Sequence, residues 1–179
     1  NTPWADNRSD TLSKARAGSA EAQNTIGKAL ATGVGLPKDR NAAHDWFLQA
    51  AEQGHKEAQY NLALLLFDNE RRTATDVAEA RKWLRAAAQA DVTLAQYRLA
   101  ELVRTGTGGN SDMAEAATLY RHAAKQGHTR SQFNLGLMYQ LGEGVPQDFT
   151  EAARWYRLAA VADLPEAQLK MSNLTQAGD

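Results

Sequence analysis

The stretch of sequence that decides the fold of this chain is SQFNLGLMY at residues 131–139, followed by GEGVPQD at 142–148 and EAARWYRLAA at 151–160. Apolar residues in the first and third segments recur every three or four positions, which is the spacing of one face of an α-helix. The middle segment carries glycines and a proline, which end one helix and prevent its continuation. Residues 131–160 therefore predict a helix, a tight turn and a second helix.

The same pattern recurs along the chain and is marked each time by a glutamine that follows a small residue. These glutamines are Gln23, Gln59, Gln96, Gln132 and Gln168, at spacings of 36, 37, 36 and 36 residues. A fixed period of this size is typical of repeat arrays. We therefore predict an all-α fold, an α/α superhelical solenoid of about four helix-turn-helix repeats with partial repeats at both ends.

The glutamines also set the predicted boundaries. We expect repeats at 21–56, 57–93, 94–129 and 130–165, a C-terminal cap helix at 166–179, and a single solenoid domain over 11–179. Residues 1–10 are polar apart from Trp4 and are expected to form a flexible lead-in. Because the chain starts with Asn1 and not methionine, we take it to be a processed product or a fragment.

Within each repeat, particular residue types predict particular turns and contacts. An aspartate is expected to cap the second helix of each repeat: Asp39, Asp76, Asp112 and Asp148. The second helices are expected to close in a left-handed conformation at Gly18, Gly54, Asp91, Gly127 and Asp163. A small residue inside each first helix indicates the close approach of a neighbour: Gly27, Ala63, Ala100 and Gly136. Trp46, Trp83 and Trp155 are in register and are expected to pack between helices.

Composition excludes several classes of function. The formal net charge is −1, from 20 basic and 21 acidic residues, which argues against a general nucleic-acid surface or anionic-membrane surface. No stretch approaches the roughly 18 apolar residues of a membrane span. There is no cysteine, so disulfides, thiolate chemistry and cysteine-based zinc sites are excluded.

No motif indicates a catalytic site, a cofactor site or a metal site. His55 and His128 occupy equivalent repeat positions, which favours a structural role, and no His-x-x-x-His pair is present. The glycine clusters at 33–35 and 106–109 lack the lysine of a phosphate-binding loop, and helix closure explains them. There is no Gly-x-Ser-x-Gly motif of a serine hydrolase. We therefore expect no enzyme activity and no cofactor.

The three segments quoted at 131–160 resemble the Sel-one-like repeat family, whose helix pairs are related to tetratricopeptide repeats. The resemblance extends from Thr11 to the final helix, with departures in the turns at 68–75 and 106–110. It implies a superhelix that binds proteins or peptides, often as an adaptor, and is common in bacterial exported proteins of envelope assembly, surface polysaccharide or signalling. It favours a periplasmic or exported location over the cytoplasm.

The candidate binding site lies on the first helices, which line the concave face of helix-pair solenoids. Side chains directed away from the core there are expected to contact a partner protein or peptide: Lys28, Asn61, Leu64, Arg98, Glu101, Asn134, Leu137 and Leu141. The asparagines can bond to a peptide backbone, and the cations can bind a carboxylate. Three alternatives stay open: packing of these residues against the next repeat, a module or enzyme acting on cell-wall glycan or exported polysaccharide, and a structural spacer. The oligomeric state is left open.

Overall fold

The computed structural model describes residues 3–68 and 70–176, and the side chains of residues 8–68 and 70–171. Within these residues the chain forms ten helices: α1 (Pro3–Arg16), α2 (Ala20–Thr32), α3 (Arg40–Glu52), α4 (Lys56–Phe67), α5 (Ala74–Gln89), α6 (Thr93–Thr105), α7 (Met113–Lys125), α8 (Thr129–Leu141), α9 (Phe149–Val161) and α10 (Pro165–Gln176). They fall into two compact units, unit 1 (Asn1–Val92) and unit 2 (Thr93–Asp179). The predicted all-α class is confirmed.

Each unit is built from helix pairs. In unit 1, α2 packs on α3 and α4 packs on α5, and in unit 2 α6 packs on α7 and α8 packs on α9. Within a unit, the second helix of one pair also packs on the first helix of the next, as α3 does on α4 and α7 on α8. Alanines of the second helices, such as Ala50, Ala87, Ala123 and Ala159, are fully buried at these contacts. Their small side chains let the helix backbones approach closely.

The second helices begin at the predicted aspartates in three repeats out of four. The side chains of Asp39, Asp112 and Asp148 accept backbone N–H groups of the first turn. The prediction for Asp76 is wrong, because Thr73 caps α5 and Asp76 lies in the first turn, where its carboxylate accepts from the Thr73 N–H at 2.6 Å. The longer, glycine-free turn of this repeat places a threonine where it can form this capping box. The hydrogen bonds from Thr73 lower the pKa of Asp76.

The predicted closing residues are also confirmed, as are the close approaches at Gly27 and Gly136. Gly54 and Gly127 have φ of 83° and 86°, and Asp91 and Asp163 have φ of 60° and 59°. Gly18 is left-handed too, with φ of 98°. For the small residues of the first helices, a Cβ built on Gly27 would lie 2.6 Å from the Phe47 ring, and one on Gly136 would lie 2.7 Å from the Tyr156 ring. These two glycines make room for aromatic rings of the paired helix.

The N-terminal segment differs from the expected flexible lead-in, since α1 already begins at Pro3. Proline suits the first position of a helix because its missing N–H is not needed there. Leu12 and Ala15 of α1 pack with Ile26 of α2, which gives the helix an apolar contact. Residues 1–2 lie outside the described residues. At the other end, α10 ends at Gln176, within the segment 166–179 that was predicted to form a cap helix. Residues 177–179 also lie outside the described residues.

Candidate functional site: the first-helix face of unit 2

The recurring glutamine joins α2, α4, α8 and α10 to the helix before each of them. The side-chain amides of Gln23, Gln59 and Gln132 each donate to a backbone carbonyl eight residues earlier, that of Ala15, Ala51 or Ala124, at 3.2 Å. Gln168 makes the same bond to Ala160 at 3.4 Å. The most regular residue of the sequence therefore has a structural role.

The side-chain oxygen of the recurring glutamine, Oε1, has a glutamine donor in two of the repeats and lacks that donor in the other two. Gln53 donates to Oε1 of Gln23 at 2.7 Å, and Gln126 donates to Oε1 of Gln96 at 2.9 Å. In the other two repeats the position of Gln53 is occupied by Ala90 or Ala162. There, the buried Oε1 atoms of Gln59 and Gln132 have no hydrogen-bond partner within the described residues. Two of the four repeats therefore hold a buried acceptor unsatisfied.

The equivalent histidines cap helices, which confirms their predicted structural role. Nδ1 of His55 accepts the Ala58 N–H at 3.2 Å, and Nδ1 of His128 accepts the Ser131 N–H at 3.2 Å. An imidazole can accept at Nδ1 only while that nitrogen carries no proton, so both caps need the neutral ring. Burial, and second the charge of Arg130, lower the pKa of His128.

Two of the predicted site residues meet in unit 2, where Nδ2 of Asn134 donates to Oε1 of Glu101 at 3.0 Å. The Tyr120 hydroxyl donates to the same carboxylate oxygen, and the Arg104 guanidinium donates to Oε2 at 3.4 Å. Burial, and second the bond to Glu101, raise the pKa of Tyr120. The Glu101 carboxylate is thus held by three donors from three helices, α6, α7 and α8.

This carboxylate forms part of the wall of a pocket in unit 2. The cavity has a volume of about 200 Å³ and is lined by Tyr97, Glu101, Arg104, Arg130, Phe133, Asn134, Leu164 and Glu166. We call it the unit 2 pocket, and we call the side of α6, α8 and α10 on which it opens the first-helix face of unit 2. The Tyr97 ring lies 4.5 Å from the His128 ring, and the Phe133 ring lies 5.6 Å from the Tyr156 ring. Each of these two pocket rings therefore packs against a ring that does not line the cavity.

The other predicted site residues are not brought into this pocket. In unit 2, Arg98 and Leu141 are exposed and Leu137 is half-buried, and none of them lines the cavity. In unit 1, Nδ2 of Asn61 donates to Oδ1 of Asn24 at 2.9 Å. Lys28 is exposed on α2 and Leu64 is half-buried on α4.

A protein-family model described as the Sel1 repeat matches the chain four times, at residues 20–55, 56–92, 93–128 and 129–161. The chain belongs to the Sel1 repeat family. Proteins of this family are typically protein–protein interaction modules and are generally non-enzymatic scaffolds. No curated protein matches the chain significantly.

Two Sel1-repeat structures are similar to this chain over most of its length. One is a protective antigen present in uropathogenic Escherichia coli strains, with 32% identity, a TM-score of 0.85, and coverage of 95% of this chain and 36% of that one. The other is a Sel1 repeat protein from Oxalobacter formigenes, with 31% identity, a TM-score of 0.81, and coverage of 92% and 47%. This chain therefore spans less than half the length of either relative.

A third structure, cysteine rich protein B of Helicobacter pylori, shares the fold alone. Its identity is 19% and its TM-score 0.56, with coverage of 73% of this chain and 92% of that one. Together with the helix pairs described above, these likenesses place the chain in the all-α solenoid class of Sel1-repeat proteins.

Most residues of the pocket wall are absent from the site that was predicted for this Sel1-repeat chain. Tyr120 was not among the predicted site residues, yet its hydroxyl bonds to Glu101 from α7, 19 positions further along the chain. Arg130 lies two residues before the recurring glutamine, outside the set of first-helix residues that were expected to contact a partner. The available signal was that Glu21, Glu57 and Glu166 occupy the same position in other repeats.

Other features of this Sel1-repeat chain have structural explanations. Trp83 and Trp155 are buried and Trp46 packs against the cluster around Ile26, which confirms the predicted packing and removes these rings as platforms for sugars. In the part of the chain that the structure describes, no group of histidine and acidic side chains could hold a metal ion. Nor is any described helix both long enough and apolar enough to span a bilayer.

Proposed function

We propose that this chain is a non-enzymatic adaptor that holds a segment of a partner protein against the first-helix face of unit 2. The observation that carries the proposal is the bonding of Glu101 by Tyr120, Asn134 and Arg104. This network holds the pocket wall in one arrangement before any partner arrives. A preformed site avoids part of the entropic cost of ordering side chains on binding.

The dimensions and chemistry of the unit 2 pocket suit a single anchor side chain of a peptide. The cavity of about 200 Å³ is bounded on two sides by the half-buried rings of Tyr97 and Phe133. Asn134 uses one N–H on Glu101, while no described residue donates to its carbonyl oxygen. That oxygen and the second N–H can bond to the peptide backbone. Arg98, Leu137 and Leu141 extend the proposed surface along α6 and α8.

The state of the polar groups supports a binding role over catalysis. Glu101 is bonded on both oxygens, and the raised pKa of Tyr120 keeps its hydroxyl protonated. A general base needs an available lone pair and a pKa near the working pH. Tyr120 does not meet the second condition, and the three donors on Glu101 fit a structural role in the pocket wall. In unit 1, Lys28, Asn61 and Leu64 form a second proposed contact. We further propose an envelope or signalling role in a bacterium, the kind of organism from which the two Sel1-repeat relatives come.

The proposal is tested by affinity capture from a bacterial extract, with wild-type protein compared with the double variant Asn134→Ala, Arg104→Ala. We expect a protein that wild type retains and the double variant loses. Arg157→Ala, an exposed change on α9 outside the pocket, is the matched control and should retain it. Circular dichroism establishes that all variants are folded. Equal retention by wild type and the double variant would refute the site, and a parallel Asn61→Ala arm shows whether unit 1 contributes.

A further inference from the structure

Arg130 occupies a position at which most of the other repeats carry glutamate. The residue two before the recurring glutamine is Glu21, Glu57, Leu94, Arg130 or Glu166 in the successive repeats. This position lies in the first turn of the first helix, where the partial positive charge of the helix N-terminus stabilises acids and destabilises cations. Arginine is thus the least favourable of the three residue types for the local fold.

No acidic side chain within the described residues pairs with Arg130, which is exposed at the rim of the unit 2 pocket. Its charge is nevertheless felt by a neighbour. Burial first, and the charge of Arg130 second, lower the pKa of His128 at the start of the same helix. The guanidinium therefore acts as an uncompensated positive charge at this end of α8.

Two of the other three charged groups that line the pocket are paired with each other. Glu101 and Arg104 bond to one another, and Glu101 also accepts from Tyr120 and Asn134. Glu166 lies in the first turn of α10, where the helix N-terminus favours a negative charge. The charge of Arg130, beside α8, has no acidic partner among the described residues. A residue that opposes the local fold and lines a pocket is expected at a functional site.

We propose that Arg130 makes the unit 2 pocket select a carboxylate of the bound partner, either on an acidic side chain or at the chain terminus. This inference rests on the proposed function and names the group that the pocket binds. The planar guanidinium can take both oxygens of a carboxylate in parallel hydrogen bonds. Arg104, in the same wall, keeps the negative charge of Glu101 away from that group. The Tyr97 and Phe133 rings line the pocket where the methylene groups of the acidic side chain of the partner would lie.

The test uses isotope-labelled full chain and amidated hexapeptides that differ in one central residue, glutamate or glutamine, followed by NMR. We expect the glutamate peptide to shift resonances of Tyr97, Arg130 and Asn134 and to raise the pKa of His128, because a bound carboxylate offsets Arg130. The glutamine peptide is expected to bind at least tenfold more weakly. A third peptide, with glutamine and a free C-terminus, distinguishes the two sources of the carboxylate, and binding of either carboxylate supports the inference.

The decisive variant is Arg130→Glu, which installs the residue that other repeats use at this position. It should fold with a melting temperature no lower than that of wild type, yet bind the glutamate peptide at least tenfold more weakly. Arg130→Gln, which removes the charge alone, serves as the second variant. Arg157→Glu makes the same charge change on α9, outside the pocket, and should leave binding unchanged.

Three results would overturn the inference. They are equal binding of the glutamate and glutamine peptides, an equal loss of affinity in Arg157→Glu, and an absence of pocket shifts with all three peptides. Equal binding of the first two peptides at the pocket would leave the proposed peptide site intact while removing its carboxylate preference. Failure of the proposed function itself is judged separately, by the capture experiment with Asn134 and Arg104.

Discussion

The junction at residues 53–55 in unit 1 and the junction at residues 126–128 in unit 2 have the same sequence, Gln-Gly-His, in different surroundings. In both, glycine takes a left-handed conformation, glutamine donates to the recurring glutamine, and histidine caps the next helix. In unit 1, Nε2 of His55 lies 2.8 Å from Glu21, and Nδ1 lies 3.5 Å from Glu57. In unit 2 the equivalent residues are Leu94 and Arg130.

The comparison separates what the fold requires from what it tolerates. Both junctions keep the left-handed glycine and the accepting imidazole nitrogen, because these satisfy backbone groups at a helix boundary. The charge around the imidazole is reversed from one junction to the other without a change of backbone. This freedom is what allows unit 2 to carry a cation beside its pocket. The Ala-Asp junctions at 90–91 and 162–163 add a further contrast, because they lack the glutamine donor.

The largest expected effect comes from removing the recurring glutamine in each kind of repeat. Gln23→Leu should lower the free energy of unfolding by about 2 kcal/mol, because it removes the side-chain bonds of Gln23 to the Ala15 carbonyl, to Gln49 and to Gln53. Gln132→Leu should cost about 1 kcal/mol, because Gln132 makes only the bond to Ala124 and its own oxygen is already unsatisfied. Urea unfolding of both variants measures the difference. Equal losses would mean that the extra donor contributes nothing.

A smaller and opposite effect is expected when the missing donor is supplied. Ala162→Gln should stabilise the protein by about 1 kcal/mol, because the new amide can donate to the buried Oε1 of Gln132. The backbone already suits it, since Ala162 has φ −87° and ψ 23° and Gln126 has φ −85° and ψ 8°.

Ala162→Glu is the matched control for this gain, since an ionised carboxylate has the same length as glutamine but cannot donate. It should bring no stabilisation at neutral pH in the same thermal and urea unfolding measurements. A gain of similar size from glutamate would attribute the effect to side-chain packing and not to the hydrogen bond.

The smallest effect concerns the pH dependence of the cap formed by His128. The pKa of His128 is lower in the folded chain than the usual value of 6.5, so the unfolded chain binds more protons between these two values. Stability from this cap is therefore complete above pH 6.5 and is lost as the pH falls through the folded pKa. Leu94→Glu, which copies Glu21 of unit 1, should raise the pKa of His128 and reduce this loss by about 0.5 kcal/mol.

Denaturant unfolding at pH 8 and at pH 5, with NMR titration of His128, measures that change. His128→Asn keeps a capping side chain that does not titrate in this range, and it should remove the dependence on this site. An unchanged pH profile in His128→Asn would show that other groups cause the loss of stability at low pH.

The sequence predicted the parts of the fold that local chemistry decides. Helix spacing, the capping by Asp39 and Asp148 and the left-handed Asp163 all follow from residues close together in the chain. It failed at Asp76, where a turn of different length gave Thr73 the capping position.

Little of the candidate site could be predicted in the same way. Asn134 and Glu101 were expected on one surface, and they do meet in unit 2. The Tyr120 hydroxyl joins them from a second helix, and sequence periodicity treats that ring only as apolar filling. Arg130 was not predicted, because the predicted surface follows the positions common to all repeats. Arg130 is informative because it departs from the repeat.

The alternation of the glutamine donor has a consequence for anyone who engineers this array. The interval that restores the same junction is the 73 residues from Gln53 to Gln126, which is twice the spacing of the helix pairs. Lengthening the protein by one helix pair would set two junctions of the same kind next to each other and break that alternation. The module to copy, delete or graft is therefore the double repeat.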